Sequence, residues 1–204
     1  QVPALLKDLI NDCDDETLCL NVEKLRIFLR MECEQKDNGY TYNKISGRRV
    51  KAIIPVHIFG HPVEMDALLE ICQLYNIDII EDATESLGSE YKGRKTGSFG
   101  KLACFSFNGN KMITTGGGGM VVTNDGGLAE RIKHLSTQAK NDSVEYDHDE
   151  VGYNYRLTNI QAAMGVAQME CLDKFVEIKR KNAFGYQNLI SSIDGIEFLW
   201  EKPW

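Results

Sequence analysis

Residues 50–82 read VKAIIPVHIFGHPVEMDALLEICQLYNIDIIED. Val50 to Val56 is a mostly apolar, β-branched run, the pattern of a strand buried on both faces. His57 to Pro62, with Gly60 inside it, reads as a turn. Val63 to Tyr75 sets Met65, Leu68, Leu69, Cys72 and Tyr75 on one side of a helix. Asn76 to Asp82 is a second strand. A strand, a helix and a strand at this spacing form a β-α-β unit, and its strands are expected to run parallel. The fold class is therefore α/β.

Downstream of this unit comes a stretch rich in glycine, with Gly88, Gly93, Gly97 and Gly100. Leu102 to Phe107 reads as a strand, and Asn108-Gly109-Asn110-Lys111 leads out of it. Gly116 to Gly119 precede another strand, Met120 to Thr123. Gly126 to Ser136 is a helix whose apolar side is Ala129, Ile132 and Leu135. Gln138 to Asp149 is polar and expected to be exposed. A long helix starts near Thr158, where the spacing to Gln161 matches a capping box, and is expected to run to about Gly185, outside the sheet or against a partner. Upstream, Asn21 to Met31 carries Val22, Leu25, Phe28 and Leu29 at helical spacing, and Lys36 to Arg49 reads as a loop or hairpin.

The 204 residues hold 23 Lys+Arg against 30 Asp+Glu, a formal net charge of −7. A pI near 5.2 argues against a sequence-independent grip on nucleic acid or on an anionic membrane. At 23.0 kDa the folded chain is expected to expose about 9,600 Å², which leaves room for one core without a disulfide or metal staple. No stretch approaches the length of a transmembrane helix, and Gln1 to Asn11 lacks the pattern of a signal peptide. The start at Gln1 rather than Met suggests a truncated or processed chain. Six cysteines, at 13, 19, 33, 72, 104 and 171, form no C-x-x-C pair, so a reduced, cytoplasmic protein is expected.

Strand NIDIIED ends in Glu81 and Asp82, where open α/β sheets bind their ligands. Successive strand residues point to opposite faces, so only one of the two carboxylates can face a site. The other reading of this carboxylate is a helix cap or a surface charge. In FSFNGNKMITTGGGG, residues 105–119, Lys111 sits between two apolar strands among small and polar residues. Partial enclosure of a lysine suits it to act as an amine nucleophile. The glycine run is not a Walker loop or a dinucleotide fingerprint. It permits a close backbone approach to a ligand, or it is a mobile turn. His57 and His61 are spaced like a metal pair on a helix, but Pro55, Gly60 and Pro62 oppose a helix there, and no metal is expected. Tyr153-Asn154-Tyr155-Arg156 could recognise a phosphate or serve as a cap or interface. One carboxylate at a strand end and one enclosed lysine suit pyridoxal 5'-phosphate.

The run from Ile53 to Asp125 and the block HDEVGYNYRLTNIQAAMGVAQME, residues 148–170, resemble the DegT/DnrJ/StrS family of pyridoxal-phosphate-dependent sugar-nucleotide aminotransferases. The resemblance covers about residues 50–185 and, weakly, the NDCDDETLCLNVEKL stretch before it. It implies the type I, aspartate aminotransferase-like fold and a homodimer with sites at the subunit interface. It implies that Lys111 is the Schiff-base lysine and that Asp82 pairs with the pyridine nitrogen. Thr84 would lie against the ring, and Glu85 would lie near the 3′ oxygen, where the family often has Gln or His. Ser106 resembles a phosphate-binding serine. Asn154 resembles the asparagine offered by the neighbouring subunit, with Arg156 assisting. Glu85 with NGNKMITTGGGG is similar to the branch that aminates C4 of nucleotide-linked 4-keto-6-deoxy hexoses, as perosamine synthetases and LegC-type enzymes do, for surface glycan or nonulosonic acid synthesis. The amino donor implied is glutamate.

The family's early Gly-Thr/Ser phosphate loop, its stacking aromatic and its small C-terminal domain find no match in these residues. Residues 1–204 are therefore expected to be an incomplete large domain, with 157–204 leading towards the small one. Two other functions compete: a dehydratase of the same fold, in which histidine replaces the lysine, and a noncatalytic fragment that only dimerises.

Overall fold

A computed structural model describes residues 13–142 and 144–204; the signal-peptide reading of Gln1 to Asn11 falls outside them. The central strand is β4 (Asp78–Asp82), flanked in parallel by β3 (Ala52–Ile53) and β7 (Leu102–Ser106). Strand β8 (Gly119–Val122) adds antiparallel to β7, giving the order β3-β4-β7-β8. Helix α2 (Met65–Leu74) is the crossover from β3 to β4, so the sheet starts with the parallel β-α-β unit read from residues 50–82.

Strand β3 is shorter than the run 50–56 because Pro55 has no N–H to give to a ladder. The chain nevertheless stays beside β4. Asp82 N donates to Pro55 O at 2.9 Å, and His57 N donates to Asp82 O at 3.1 Å. Asp82 N and O are thereby both used by the strand before the turn, and its backbone is fixed.

Helix α1 (Val22–Glu32) starts at Asn21, whose side chain accepts from Lys24 N. Its buried residues, Val22, Leu25 and Leu29, form one core with Met65, Leu68, Ile71 and Cys72 of α2 and with Ile53 and Ile79 of the sheet. Helix α2 is shorter than residues 63–75: Val63 precedes it, Tyr75 caps it, and Ile71 rather than Leu69 completes the buried stripe. The polar stretch 36–49 contributes a hairpin, β1 (Cys33–Gln35) against β2 (Thr41–Asn43). The glycine-rich stretch after β4 holds a second hairpin, β5 (Glu90–Tyr91) against β6 (Arg94–Lys95). Lys92 and Gly93 turn it with φ of 50° and 78°, the geometry that matches strand twist in a two-residue loop.

Helix α3 (Gly126–Ser136) keeps the expected bounds, with Asp125 accepting from Leu128 N at 3.0 Å. Its half-buried side is Leu128, Ile132 and Leu135, whereas Ala129 is exposed. The single helix expected from Thr158 to Gly185 is two helices, α4 (Asn159–Met169) and α5 (Leu172–Ile190). The tighter bond from Cys171 N to Gln168 O interrupts the ladder. The two helices also meet different loops: Gln168 of α4 binds Thr114, and Leu172 and Val176 of α5 lie against Gly88. The capping box at Thr158 is present in both directions. After α5 the chain returns to the hairpin. Lys92 N donates to Trp204 O at 2.8 Å, His61 Nε2 donates to Trp200 O at 3.1 Å, and the Trp204 ring centre lies 6.1 Å from that of Tyr91. Among the described residues no helix is long and apolar enough to cross a membrane.

Candidate active site

Strands β4 and β7 end side by side, with Asp82 opposite Cys104 and Ser106 two residues further on. Along β4, Ile79 and Glu81 are buried on one face while Ile80 and Asp82 are half-buried on the other. Of the two carboxylates, Asp82 is the half-buried one, on the face opposite the buried Glu81. Its Oδ1 accepts from Thr84 N at 3.2 Å, which turns the chain immediately after the strand.

That turn delivers Glu85. Its Oε2 accepts from Phe59 N at 2.9 Å, and its Oε1 lies 3.2 Å from Lys111 Nζ. The Phe59 amide and the Lys111 ammonium hold the Glu85 carboxyl below the usual carboxylate range. Lys111 is enclosed as its spacing implies, its side chain retaining 17% of its exposure.

Lys111 rides on a turn that folds back on β7. Asn108 N donates to Ser106 Oγ at 3.3 Å and Lys111 N to Asn108 O at 3.1 Å. Thr115 N and Thr114 Oγ1 both donate to Phe107 O, and Phe107 N donates to Gly118 O. Gly118 has φ +88°, and a Cβ there would come within 2.4 Å of Leu157 Cδ2. At this position, then, the glycine run is a packing requirement. From α4, Gln168 closes the turn: its Oε1 accepts from Thr114 N at 3.0 Å and its Nε2 donates to Thr114 O at 2.5 Å. This clamp was not foreseen from sequence. A polar residue among Met164, Val166 and Met169 was its only signal.

The structure thus brings Asp82, Thr84, Glu85, Ser106 and Lys111 to one end of two adjacent strands. Asn154 and Arg156 are exposed on the segment after α3, where Asn154 forms a bridge with Thr137. The flanking Tyr153 and Tyr155 rings stack at 5.0 Å.

His57 and His61 do not share a site. His57 is fully buried against Glu81, while His61 binds the Trp200 carbonyl. Period two along β4 marks Glu81 as a candidate for burial and so for a partner, but it does not name His57. Among the described residues one trio, His134, Asp149 and Glu150, could offer three metal-ligand atoms, and Arg131 already pairs with both Glu150 oxygens.

Residues 10–204 match the DegT/DnrJ/EryC1/StrS aminotransferase family. The GDP-perosamine synthase of Escherichia coli O157:H7 is 48% identical over 182 residues, 89% of this chain and 45% of that protein. A UDP-4-amino-4,6-dideoxy-N-acetyl-beta-L-altrosamine transaminase of Campylobacter jejuni is 40% identical over 151 residues, 70% of this chain and 40% of its own length. Among solved structures, an aminotransferase TlmJ from Streptoalloteichus hindustanus superposes with a TM-score of 0.80 at 26% identity, over 94% of this chain and 48% of that one. The chain thus spans less than half the length of these relatives, and its fold is that of the type I aminotransferases.

Proposed function

The chain belongs to the DegT/DnrJ/EryC1/StrS aminotransferase family, and on that premise we propose that it moves an amino group from an amino acid, glutamate in this reading, to C4 of a nucleotide-linked 4-keto-6-deoxy sugar. The pairing of Lys111 with Glu85 beside the end of β4 carries this reading. The perosamine synthase and the altrosamine transaminase support the nucleotide amino-sugar class, and surface glycan synthesis is the role this reading assigns to the product. On the same reading residues 1–204 are part of the large domain of a cytoplasmic homodimer. Six free thiols support the compartment, and the exposed apolar side chains of α4 and β8 support the dimer.

Relatives of this kind depend on pyridoxal phosphate, and the side chains present fit it. Lys111 offers an enclosed amine to an aldehyde carbon. Asp82 offers a carboxylate to a protonated ring nitrogen, and Thr84 follows it at the strand end. Ser106 offers a hydroxyl to the phosphate, with Asn154 and Arg156 as further donors, Asn154 from the second subunit. When bound, the cofactor supplies an electron sink that makes the hydrogens on the reacting carbons exchangeable. Lys111 Nζ takes the proton from the donor's α-carbon and returns one to the sugar carbon. Glu85 holds the Lys111 ammonium in place while its proton is not in use. The net exchange is balanced: amino acid plus keto sugar gives 2-oxo acid plus amino sugar, with no outside oxidant.

The test is a visible spectrum of the chain mixed with pyridoxal phosphate. The parent is expected to develop an absorption band that glutamate bleaches, and Lys111→Ala is expected to develop none. A band of equal strength in Lys111→Ala would remove the lysine from its role, and amino transfer persisting in that variant would sink the reading.

A further inference from the structure

The turn from His57 to Val63 contains a residue whose conformation its own packing does not explain. Phe59 has φ 53° and ψ 21°, the left-handed region, and its side chain is 72% exposed. A bulky residue is strained there and persists only where its surroundings over-determine it. Its conformation delivers the Phe59 N–H to Glu85 Oε2.

The surroundings are two fully buried groups that the reaction as described does not use. Glu81 accepts from Gly97 N at 2.7 Å and from Phe99 N and Gly100 N at 2.6 Å each. Its fourth partner is His57 Nε2 at 3.2 Å. Val63 N donates to His57 Nδ1 at 3.1 Å, so Nδ1 carries no proton and the N–H at Nε2 points to Glu81. The ring therefore joins the far end of the turn to the near end and ties both to the back of β4. The main chain of His57 also donates to the Asp82 carbonyl oxygen, so one residue is bound to the Glu81 carboxylate through its ring and to the backbone of the strand end through its amide.

We propose that the buried His57–Glu81 pair positions the site: it locks the turn 57–63 so that the Phe59 amide holds Glu85, and Glu85 in turn aims the Lys111 amine. His57 and Glu81 are positioning residues, three and four links from the Lys111 amine. The consequence for turnover rests on the function proposed above, but the positioning is read on Glu85 itself, with no cofactor added.

Two substitutions separate the two nitrogens of the ring. His57→Asn keeps an acceptor near the place of Nδ1 and gives up the donor at Nε2. His57→Gln keeps a donor near Nε2 and gives up the acceptor for Val63. The readout is the carboxyl-carbon titration of Glu85 by NMR in the full chain, assigned with Glu85→Gln. The charged group facing Glu85 is Lys111, which is present in every variant. The Glu85 midpoint is expected to stay low in the parent and to rise toward the ordinary value of about 4.3 in both variants, because each gives up one of the two ring bonds that tie the turn to β4. A pair that only stabilises the fold would lower the melting temperature in both variants and leave Glu85 unmoved, and that result overturns the proposal.

Should both variants fail to fold, amide exchange in the parent decides instead. Phe59 and Val63 are expected to exchange through one shared opening with equal protection. Free exchange at Phe59 beside a protected Val63 overturns the proposal. Loss of the visible band in Lys111→Ala is scored separately, so either idea can fail alone.

Discussion

Glu81 holds its charge in a place from which water is excluded. Burial alone would raise its pKa, but the His57 N–H and the Gly100 and Gly97 amides outweigh burial and hold the carboxyl below its usual range. The sign of the pH dependence follows. The unfolded chain protonates Glu81 near its ordinary value of about 4.3, and the folded chain does so only at lower pH. The stabilisation is fully present above that ordinary value and is lost as pH falls through the folded one. Urea midpoints of the parent are expected to drop from about pH 5 to about pH 3, whereas Glu81→Gln should lose part of that slope. The same variant should cost on the order of 3 kcal/mol at neutral pH, because it leaves buried donors unanswered. The enclosure of Lys111 and the placing of Glu81 and Asp82 on opposite faces were legible from spacing, whereas the choice of Asp82 came only from the family resemblance. The partner of Glu81 was not legible. It lies twenty-four residues away across a crossover, on a histidine whose nearest sequence pattern pointed to metal.

Helix starts followed the sequence most closely where a cap residue marked them, as Asn21 does for α1, Asp125 for α3 and Thr158 for α4. Thr158→Ala is expected to cost about 1 kcal/mol, measured by chemical denaturation, since it removes the hydroxyl that accepts from Gln161 N. Strands were harder to delimit. Apolar runs extend past the ladder, and only Pro55 shows where β3 must stop pairing. The division between α4 and α5 is a tertiary effect, because the apolar spacing runs through it without a proline or glycine at the break. Gln168 is the element-scale link between α4 and the lysine turn. Gln168→Ala should cost about 1–3 kcal/mol and speed amide exchange at Thr114, while exchange in α1 stays unchanged. Unchanged exchange at Thr114 would show that the turn holds without the helix.

The whole molecule exposes 13617 Å², against about 9,600 Å² for a folded monomer of this mass. Ile160, Met164, Val166 and Met169 of α4 and Met120 and Val121 of β8 are part of that excess, which a sequence-based estimate of size had no means to include. With the proposed second copy present, sedimentation should give a dimer, and Val166→Glu should shift it toward monomer with helix content unchanged. A parent that sediments as a monomer at every concentration would remove the dimer from the proposal. The placement of the aromatic residues near the end of the chain has a practical side. The protein has two tryptophans, and both sit in the returning segment, Trp200 exposed and Trp204 against Tyr91. Intrinsic fluorescence therefore reports the departure of that segment from the β5–β6 hairpin and is blind to the central sheet. An emission red-shift on heating should precede the loss of far-ultraviolet ellipticity, and a melting temperature taken from fluorescence alone would describe the strap while the sheet is still intact.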